Sequence, residues 1–579
     1  MDRSTIARAL DDIAAYIELS EPNPFRARAF ERAARTIETL QEDIEELVAT
    51  GRLYETPGIG KAIGPIVEDL VRTGSSRYLE DLRKQYPPGI FELRRVPGLG
   101  LKKIGQLYSE LGIASVDELE AASRAGKVAK VRGFGAKTQQ KILEGIDFAR
   151  VATSQILLPV ALEIAQRLRE QLAQIDIIAD AEVSGSVRRR LEVVHNVNIT
   201  IATKTPDRTM GEIRNRSIVD GFEIVDDTTI RGAVRGHTAI LIHVAKPEDF
   251  GAAMLRTTAS EAFLLAFEKK IAAGGFALRD LALFRRGRHV ATRDEQELFH
   301  RVDVPSVAPE RRESGDDLKR RRRVPLVEQT DLRGTFHVHT TWSDGRNSVK
   351  EMLVASRDRG FQYVGISDHS KNAYYAGGLT EEQLKQQQAE IDAHRGDAAP
   401  MRVFKGTEAD ILIDGSIDYG HGTLPIFDFV IASVHSRFNM PKDEMTARIL
   451  RALDDPFVTI LGHLTGRLLL SREGYSVDFD RIFERAGERG VMIEINGNPN
   501  RLDVDWRQIG RAVERGVLFS INPDAHSIKE LSHVISGTWV ARKAGLSPKN
   551  IFNCAEVDAV AEFLSRRRSA ALKKLKIEN

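Results

Sequence analysis

The chain has 579 residues, 42% hydrophobic and 29% charged, with 20 prolines; this composition excludes a mostly disordered, collagenous or coiled-coil protein, and the length suits about four domains at roughly 150 residues each. A single cysteine, Cys554, excludes an intrachain disulfide and a thiolate metal cluster. The formal net charge is +1, with 51 basic and 50 acidic residues up to Asp331 and 33 of each after it, so any nucleic-acid binding must come from local patches rather than from a whole-molecule basic field.

Residues 1 to about 150 read as helical. Met1 leads into an acidic amphipathic stretch, not into a basic segment and an apolar core, so no secretory signal is expected. No apolar run approaches the ~18 residues that span a bilayer, and the expected address is cytoplasmic, with no membrane partner. Three glycine turns punctuate the helical stretches: Pro57-Gly58-Ile59-Gly60-Lys61, Pro97-Gly98-Leu99-Gly100-Leu101-Lys102-Lys103 and, more loosely, Arg132-Gly133-Phe134-Gly135-Ala136-Lys137. Glycines let a backbone approach a phosphate, the following helix N-terminus offers free N–H groups, and lysine adds charge. Residues 92–141 carry ten basic and five acidic side chains. The turns resemble the helix-hairpin-helix motif. That resemblance implies DNA held by its backbone without sequence readout, through Gly58, Gly60, Lys61, Gly98, Gly100, Lys102, Lys103, Gly133, Gly135 and Lys137.

From 151 to 302 helix and strand mix, with β-branched strand candidates at Ile178–Ser184, 193–202 and 239–244. Residues 303–332, with early prolines and five consecutive bases at 319–323, read as a surface linker. Beyond it, apolar strand-like runs at 363–367, 429–434, 457–461, 491–496 and 517–522 alternate with helical ones, which argues a parallel α/β sheet or barrel.

This last region holds a series of histidines and carboxylates at or near strand ends: His337 and His339, Asp344, His369, Glu408, His435, His463, Asp524 and His526. Ends of parallel strands converge on one mouth. In His337-Val338-His339 and Asp524-Ala525-His526 the paired side chains share one side, because strand side chains alternate. Imidazoles and carboxylates without thiolates suit Zn²⁺, Mn²⁺ or Fe²⁺. His394, His421 and His533 stand outside the pattern.

Residues 333–579 resemble the PHP (polymerase and histidinol phosphatase) domain, a distorted (β/α)7 barrel with a trinuclear metal site. The resemblance extends through Gly365-Ile366-Ser367-Asp368-His369-Ser370-Lys371, Gly462-His463-Leu464-Thr465-Gly466-Arg467 and Ile521-Asn522-Pro523-Asp524-Ala525-His526. It implies three divalent ions per chain. His337, His339, Glu408 and Asp524 would hold the first. Glu408 would bridge to the second, completed by His435 and His463, and Asp344, His369 and His526 would hold the third. Glu408 and His435 are then expected at the catalytic centre, with Lys371 and Arg467 as candidates for binding phosphate oxygens. Clustered cations can clamp a phosphodiester and activate water for in-line attack.

The order of helical hairpins, mixed domain and PHP domain resembles the bacterial X-family DNA polymerases across essentially the whole chain, including Asn23-Pro24-Phe25-Arg26-Ala27-Arg28-Ala29-Phe30 and Ser184-Gly185-Ser186-Val187-Arg188-Arg189. The implied fold is multidomain: a helical hairpin region at 1–150, an α+β nucleotidyltransferase-like palm at 151–302, a linker at 303–332 and the PHP barrel. The family's palm holds two Mg²⁺ ions with Asp-x-Asp and a third Asp. Here Asn196-Val197-Asn198 stands in place of the pair, and Leu241 aligns with the third. Mg²⁺ requires hard, anionic oxygens, so Mg²⁺-dependent polymerisation is not expected. The nucleotide turn, normally Thr-Gly-Ser, reads Thr258-Ala259-Ser260, and Ile66 stands where lyase-active members carry a Schiff-base lysine. The expectation is a metal-dependent 3′–5′ exonuclease of DNA repair, with abasic-site cleavage as an additional activity. It would act as a monomer on gapped, nicked or 3′-ended DNA. Two alternatives are a template-directed polymerase with associated exonuclease and a non-catalytic DNA-binding scaffold.

Overall fold

The computed structural model describes residues 3–20, 24–39, 44–56, 58–87, 89–153, 155–234, 238–319 and 324–578. Met1, Asn23, Pro57 and bases 320–323, named above, lie outside the described residues. The chain divides into two compact units, Met1–Ser154 and Gln155–Asn579. Among the described residues no helix is long and apolar enough to cross a membrane.

In the first unit the described elements are all helical. The three glycine turns are one structure repeated. Each follows a 3₁₀ turn (Arg52–Glu55, Ile90–Arg95, Val128–Lys130) and leads to a helix (Gly64–Thr73, Leu101–Leu111, Ala136–Thr153). In each the first glycine is left-handed, with φ of +83° at Gly58, +80° at Gly98 and +88° at Gly133, a region that costs side-chain-bearing residues. The residue between the glycines (Ile59, Leu99, Phe134) is buried, and its N–H donates to the carbonyl three residues back (Thr56, Val96, Val131). An apolar plug thus pins each turn from inside. The second glycines, Gly60, Gly100 and Gly135, face open space.

The second unit begins with a five-stranded mixed sheet: β1 (Ile178–Ser184), β2 (Asn196–Thr203), β3 (Asp220–Asp226), β4 (Thr229–Val234) and β5 (Thr238–Ala245), in the order β1-β2-β5-β4-β3. The expected strand at 193–202 is two: Val193–Val194 pairs with Ile156–Leu157, and β2 begins at Asn196. In register, Asn198 lies between Ser184 of antiparallel β1 and Leu241 of parallel β5.

Seven parallel strands then form a nearly closed barrel in sequential order: β6 (Gly334–Val338), β7 (Tyr363–Ile366), β8 (Arg402–Asp410), β9 (Phe429–Ser433), β10 (Ile460–Leu461), β11 (Met492–Asn496) and β12 (Phe519–Asn522). Beyond β12, Ala525 closes the ring. Its N–H donates to His337 O at 3.1 Å, and its carbonyl accepts from His339 N at 2.9 Å. Phe336, Tyr363, Phe404, Phe429 and Phe552 fill one interior cluster with Val560 and Leu564 of the last helix. A Cβ on Gly406 would sit 2.3 Å from the Phe429 ring, so the aromatic packing demands glycine there.

The segment 303–332, expected as a linker, carries three 3₁₀ turns among its described residues, and several of its side chains are packed down. Buried Arg312 reaches Glu295, and Arg311 reaches Asp317 at 2.6 Å. Between mixed sheet and barrel the contacts are charged and aromatic. Buried Lys543 donates to Arg189 O at 2.9 Å and to Glu313 at 2.6 Å, and lies 4.6 Å from the Trp506 ring. Glu192 accepts from Trp506 and Arg507.

Candidate metal centre

Each strand of a parallel barrel ends at the same rim, and that rim collects the histidines. His337 ends on β6 and His339 follows it. His369 lies three residues after β7 and Glu408 near the end of β8. His435 follows β9, His463 follows β10, and Asp524 and His526 follow β12. All nine residues singled out from sequence gather there, in overlapping groups whose ligand atoms lie within 4.8 Å of one another. His339, Asp344, His369 and His526 form one group. His337, His339 and Asp524 form another, and Glu408 joins His337 with His463 and His369 with His435. The third set implied by the PHP resemblance is thus intact with His339 added, while the other two are interleaved through Glu408.

Glu408 is the hub. Its Oε1 lies 2.9 Å from His463, 3.2 Å from His435 and 3.3 Å from His337; its Oε2 lies 3.0 Å from His369 and 3.6 Å from His339. Burial alone would raise this carboxyl's pKa, but His337, His369 and His435 outweigh it and hold the group well below the usual range. Burial is likewise outweighed at His435, raised to about 9 by Glu408 and Asp410, and at His526, raised to about 9 by Asp344 and Asp524. His339 goes the other way, to about 4, through burial and then the neighbouring His526 and His369. Buried imidazole nitrogens of His337, His339, His369 and His463 have no hydrogen-bond partner. Neutral or proton-loaded nitrogens packed around anionic oxygens fit divalent cations, which would take the place of those protons.

Two buried carboxylates orient the cluster from behind. Glu494 on β11 accepts from His337 Nδ1 at 2.6 Å, His463 N at 2.7 Å, Asn522 Nδ2 at 2.9 Å and Asn496 Nδ2 at 3.1 Å. Asp410 accepts from His435 Nδ1 at 2.7 Å. Both leave the opposite imidazole nitrogen facing Glu408, the arrangement that fixes a metal-binding tautomer. Asp368 ties Thr340, Ser343 and Gln387 together and so anchors the loop of Asp344. Sequence reasoning missed Glu494, although a glutamate inside the apolar run 491–496 is itself a signal, since a buried charge needs partners.

His394, His421 and His533 stand apart, with Asp397, Asp455 and the Pro523 carbonyl as partners. Lys371 is half-exposed and pairs with Glu381 at 2.8 Å. Arg467 is held by Asp505 at 2.7 Å and by the carbonyls of Arg501 and Leu502. A different guanidinium, Arg501, reaches Asp524 at 3.3 Å.

Comparison with known proteins matches residues 335–498 to the PHP domain family. Residues 1–76 match a helix-hairpin-helix domain and residues 90–147 a SAM-like helix-hairpin-helix tandem. The Bacillus subtilis DNA polymerase/3′-5′ exonuclease PolX is 34% identical over 571 residues, covering 98% of this chain and 100% of that protein. The chain belongs to the bacterial PolX family. Shorter relatives match the PHP part: a probable phosphatase of Caldanaerobacter subterraneus is 27% identical over 271 residues, 43% of this chain and 96% of that protein. A probable phosphatase of Clostridium acetobutylicum is 26% identical over 207 residues, 33% of this chain and 78% of that protein.

As a PolX member the chain combines helix-hairpin-helix units, a mixed α/β middle and a PHP barrel with buried His, Glu and Asp clusters. In the mixed sheet, Asn196 and Asn198 lie side by side, with Asn198 Nδ2 donating to Asn196 Oδ1 at 3.0 Å, and Leu241 is the cross-strand neighbour of Asn198. The three positions aligned from sequence are therefore spatial neighbours. Among the described residues, the gathered metal-ligating groups lie in the barrel. Arg188 of the Gly-Ser turn reaches Thr258 and Glu295, and Arg189 reaches Glu313.

Proposed function

We propose that this PolX chain is a metal-dependent DNA phosphodiesterase that removes nucleotides from 3′ ends at its PHP cluster, on a scaffold whose palm lacks the carboxylates of nucleotidyl transfer. The division of labour follows the sequence: 1–150 bind DNA, 151–302 position it, and 333–579 cut it. The observation that carries the reading is the hub geometry, one buried carboxylate within reach of five imidazoles at the open rim of a barrel. His337, His339, Glu408 and Asp524 would hold one ion, Glu408, His435 and His463 a second, and Asp344, His369 and His526 a third. Such ions supply charge neutralisation at a phosphodiester and a nucleophilic water at neutral pH. The chain's own part is to orient His337 and His435 through Glu494 and Asp410 and to keep Glu408 ionised.

The test is a labelled primer–template incubated with the purified protein and Mn²⁺, with and without nucleotides. Shortening from the 3′ end is expected, and Glu408→Ala should abolish it; a wild-type rate in that variant would assign the activity to a contaminant. A second reading, favoured by the full-length Bacillus relative and its name, keeps templated polymerisation beside the exonuclease. Extension in the same assay, surviving Glu408→Ala, would select it.

A further inference from the structure

The loop after β7 runs from His369 through Lys371 and Asn372 into a short 3₁₀ turn, Tyr374–Ala376. The loop is pinned to the rim. Asn372 N donates to Asp418 and Asn372 Nδ2 to Asp410, both at 2.7 Å, and Asp410 is the carboxylate that orients His435. Ala373 and Ala376 are buried. The two tyrosines of this anchored turn nevertheless face outward, Tyr374 at 85% and Tyr375 at 59% exposure. Their rings meet edge to face with centroids 5.9 Å apart, and the Tyr375 ring stands edge-on to His435 at 6.4 Å. Two aromatic faces therefore lead outward in succession from the cluster.

Single exposed aromatic residues need no explanation, but an adjoining pair on a fixed loop beside a reactive cluster does. We infer that Tyr374 and Tyr375 form a stacking platform for the terminal base of a DNA 3′ end, and so are the residues that position that end beside the cluster. The inference rests on the phosphodiesterase reading above and names two residues that would position its substrate. Phenol rings have little to offer a phosphate, whereas every base has a π-face, and stacking is tolerant of sequence. A base at the end of an intact duplex is already paired and stacked, so it must fray to reach the rings.

The test uses the full-length protein with Mn²⁺ and two single-stranded oligonucleotides, one ending in an ordinary nucleotide and one ending in a base-free tetrahydrofuran unit. The wild type is expected to show a KM lower by roughly tenfold for the base-bearing end. Tyr374→Ala with Tyr375→Ala should bring the two KM values together, and the paired phenylalanine replacements should keep them apart. A turnover-independent readout is photo-crosslinking of an oligonucleotide with 3′-terminal 5-iododeoxyuridine, expected on the peptide holding Tyr374 and Tyr375. Hydrolysis with unchanged discrimination in the alanine variant, and crosslinks elsewhere, would overturn the platform while leaving the phosphodiesterase. Crosslinks at the tyrosines in a protein that cuts nothing would support the platform and sink the phosphodiesterase reading.

Discussion

Glu494 shows what a single buried charge does at this rim. It lies in a strand of Met492, Ile493 and Ile495, and desolvation alone would raise its pKa; His337 reverses that and lowers it. An ionised acceptor with four donors is satisfied, and it hands direction to His337 and to the His463 backbone at once. Glu494→Gln keeps the size and removes the charge. It is expected to weaken divalent-metal affinity by about 10–100-fold, read by chelator competition. Unchanged affinity would reduce Glu494 to a packing role.

At the scale of elements, the hairpins and the register of the mixed sheet each carry a prediction. Gly100 has φ of −72° and open space around its Cβ, whereas Gly98 sits at +80°. Gly100→Val therefore blocks the phosphate approach without backbone strain, while Gly98→Val also destabilises the turn. Both should weaken binding of all DNA sequences alike, and two or three phosphate contacts give a log–log salt slope of about −2 to −3. A sequence-selective loss, followed by fluorescence anisotropy, would count against backbone gripping. In the mixed sheet, strand period and register bring Asn196, Asn198 and Leu241 together; on the proposed reading these two amides and a hydrocarbon stand where nucleotidyl transfer needs carboxylates. The expected outcome is no templated extension with Mg²⁺ or Mn²⁺; the test of the site is gain of extension in Asn196→Asp, Asn198→Asp, Leu241→Asp. Primer extension by the wild type, surviving loss of the PHP site, would mean that the three positions are wrongly aligned or that carboxylates from elsewhere fill the cage.

Across the whole second unit, the mixed α/β part and the barrel meet on Lys543. Burial lowers its pKa from 10.5 to about 8, against the opposing pull of Glu313. Between those values the unfolded chain binds a proton that the folded chain has released, so stability against unfolding rises with pH through this window, by at most about 1.4 kcal/mol per pH unit. Below pH 8 the buried ammonium persists and the gain is absent. Denaturant titrations of the wild type and Lys543→Met from pH 7 to 10.5 should show the difference between them growing only above pH 8. Parallel curves would mean that the amine stays charged across the joint.

The sequence by itself determined the chemistry that is local or periodic. Gly-x-Gly turns read directly because glycine takes the left-handed position at least cost; His-x-His and Asp-x-His were legible as pairs, but His337 and Asp524 take left-handed φ of +62° and +52° and Asp524 and His526 lie beyond β12, so local backbone irregularity rather than simple strand alternation aims them. The apolar runs of 363–367 and 491–496 announced parallel strands because both faces of such strands are buried. Tertiary structure alone decided what depends on residues far apart in the chain. It joined Ala525 to His337 and His339 to close the barrel, and it set Glu494 behind His337 and Asp410 behind His435. It also gave Arg467 to Asp505 and placed Arg501 beside Asp524. The ends of 193–202 and the packing of 303–332 belong to the same class: His195 divides two strands whose partners, Ile156–Leu157 and β5, lie elsewhere in the sequence, and Arg312 is buried because Glu295 neutralises it. A residue's propensity is carried in its own side chain, but a partner for a buried charge is chosen by the fold.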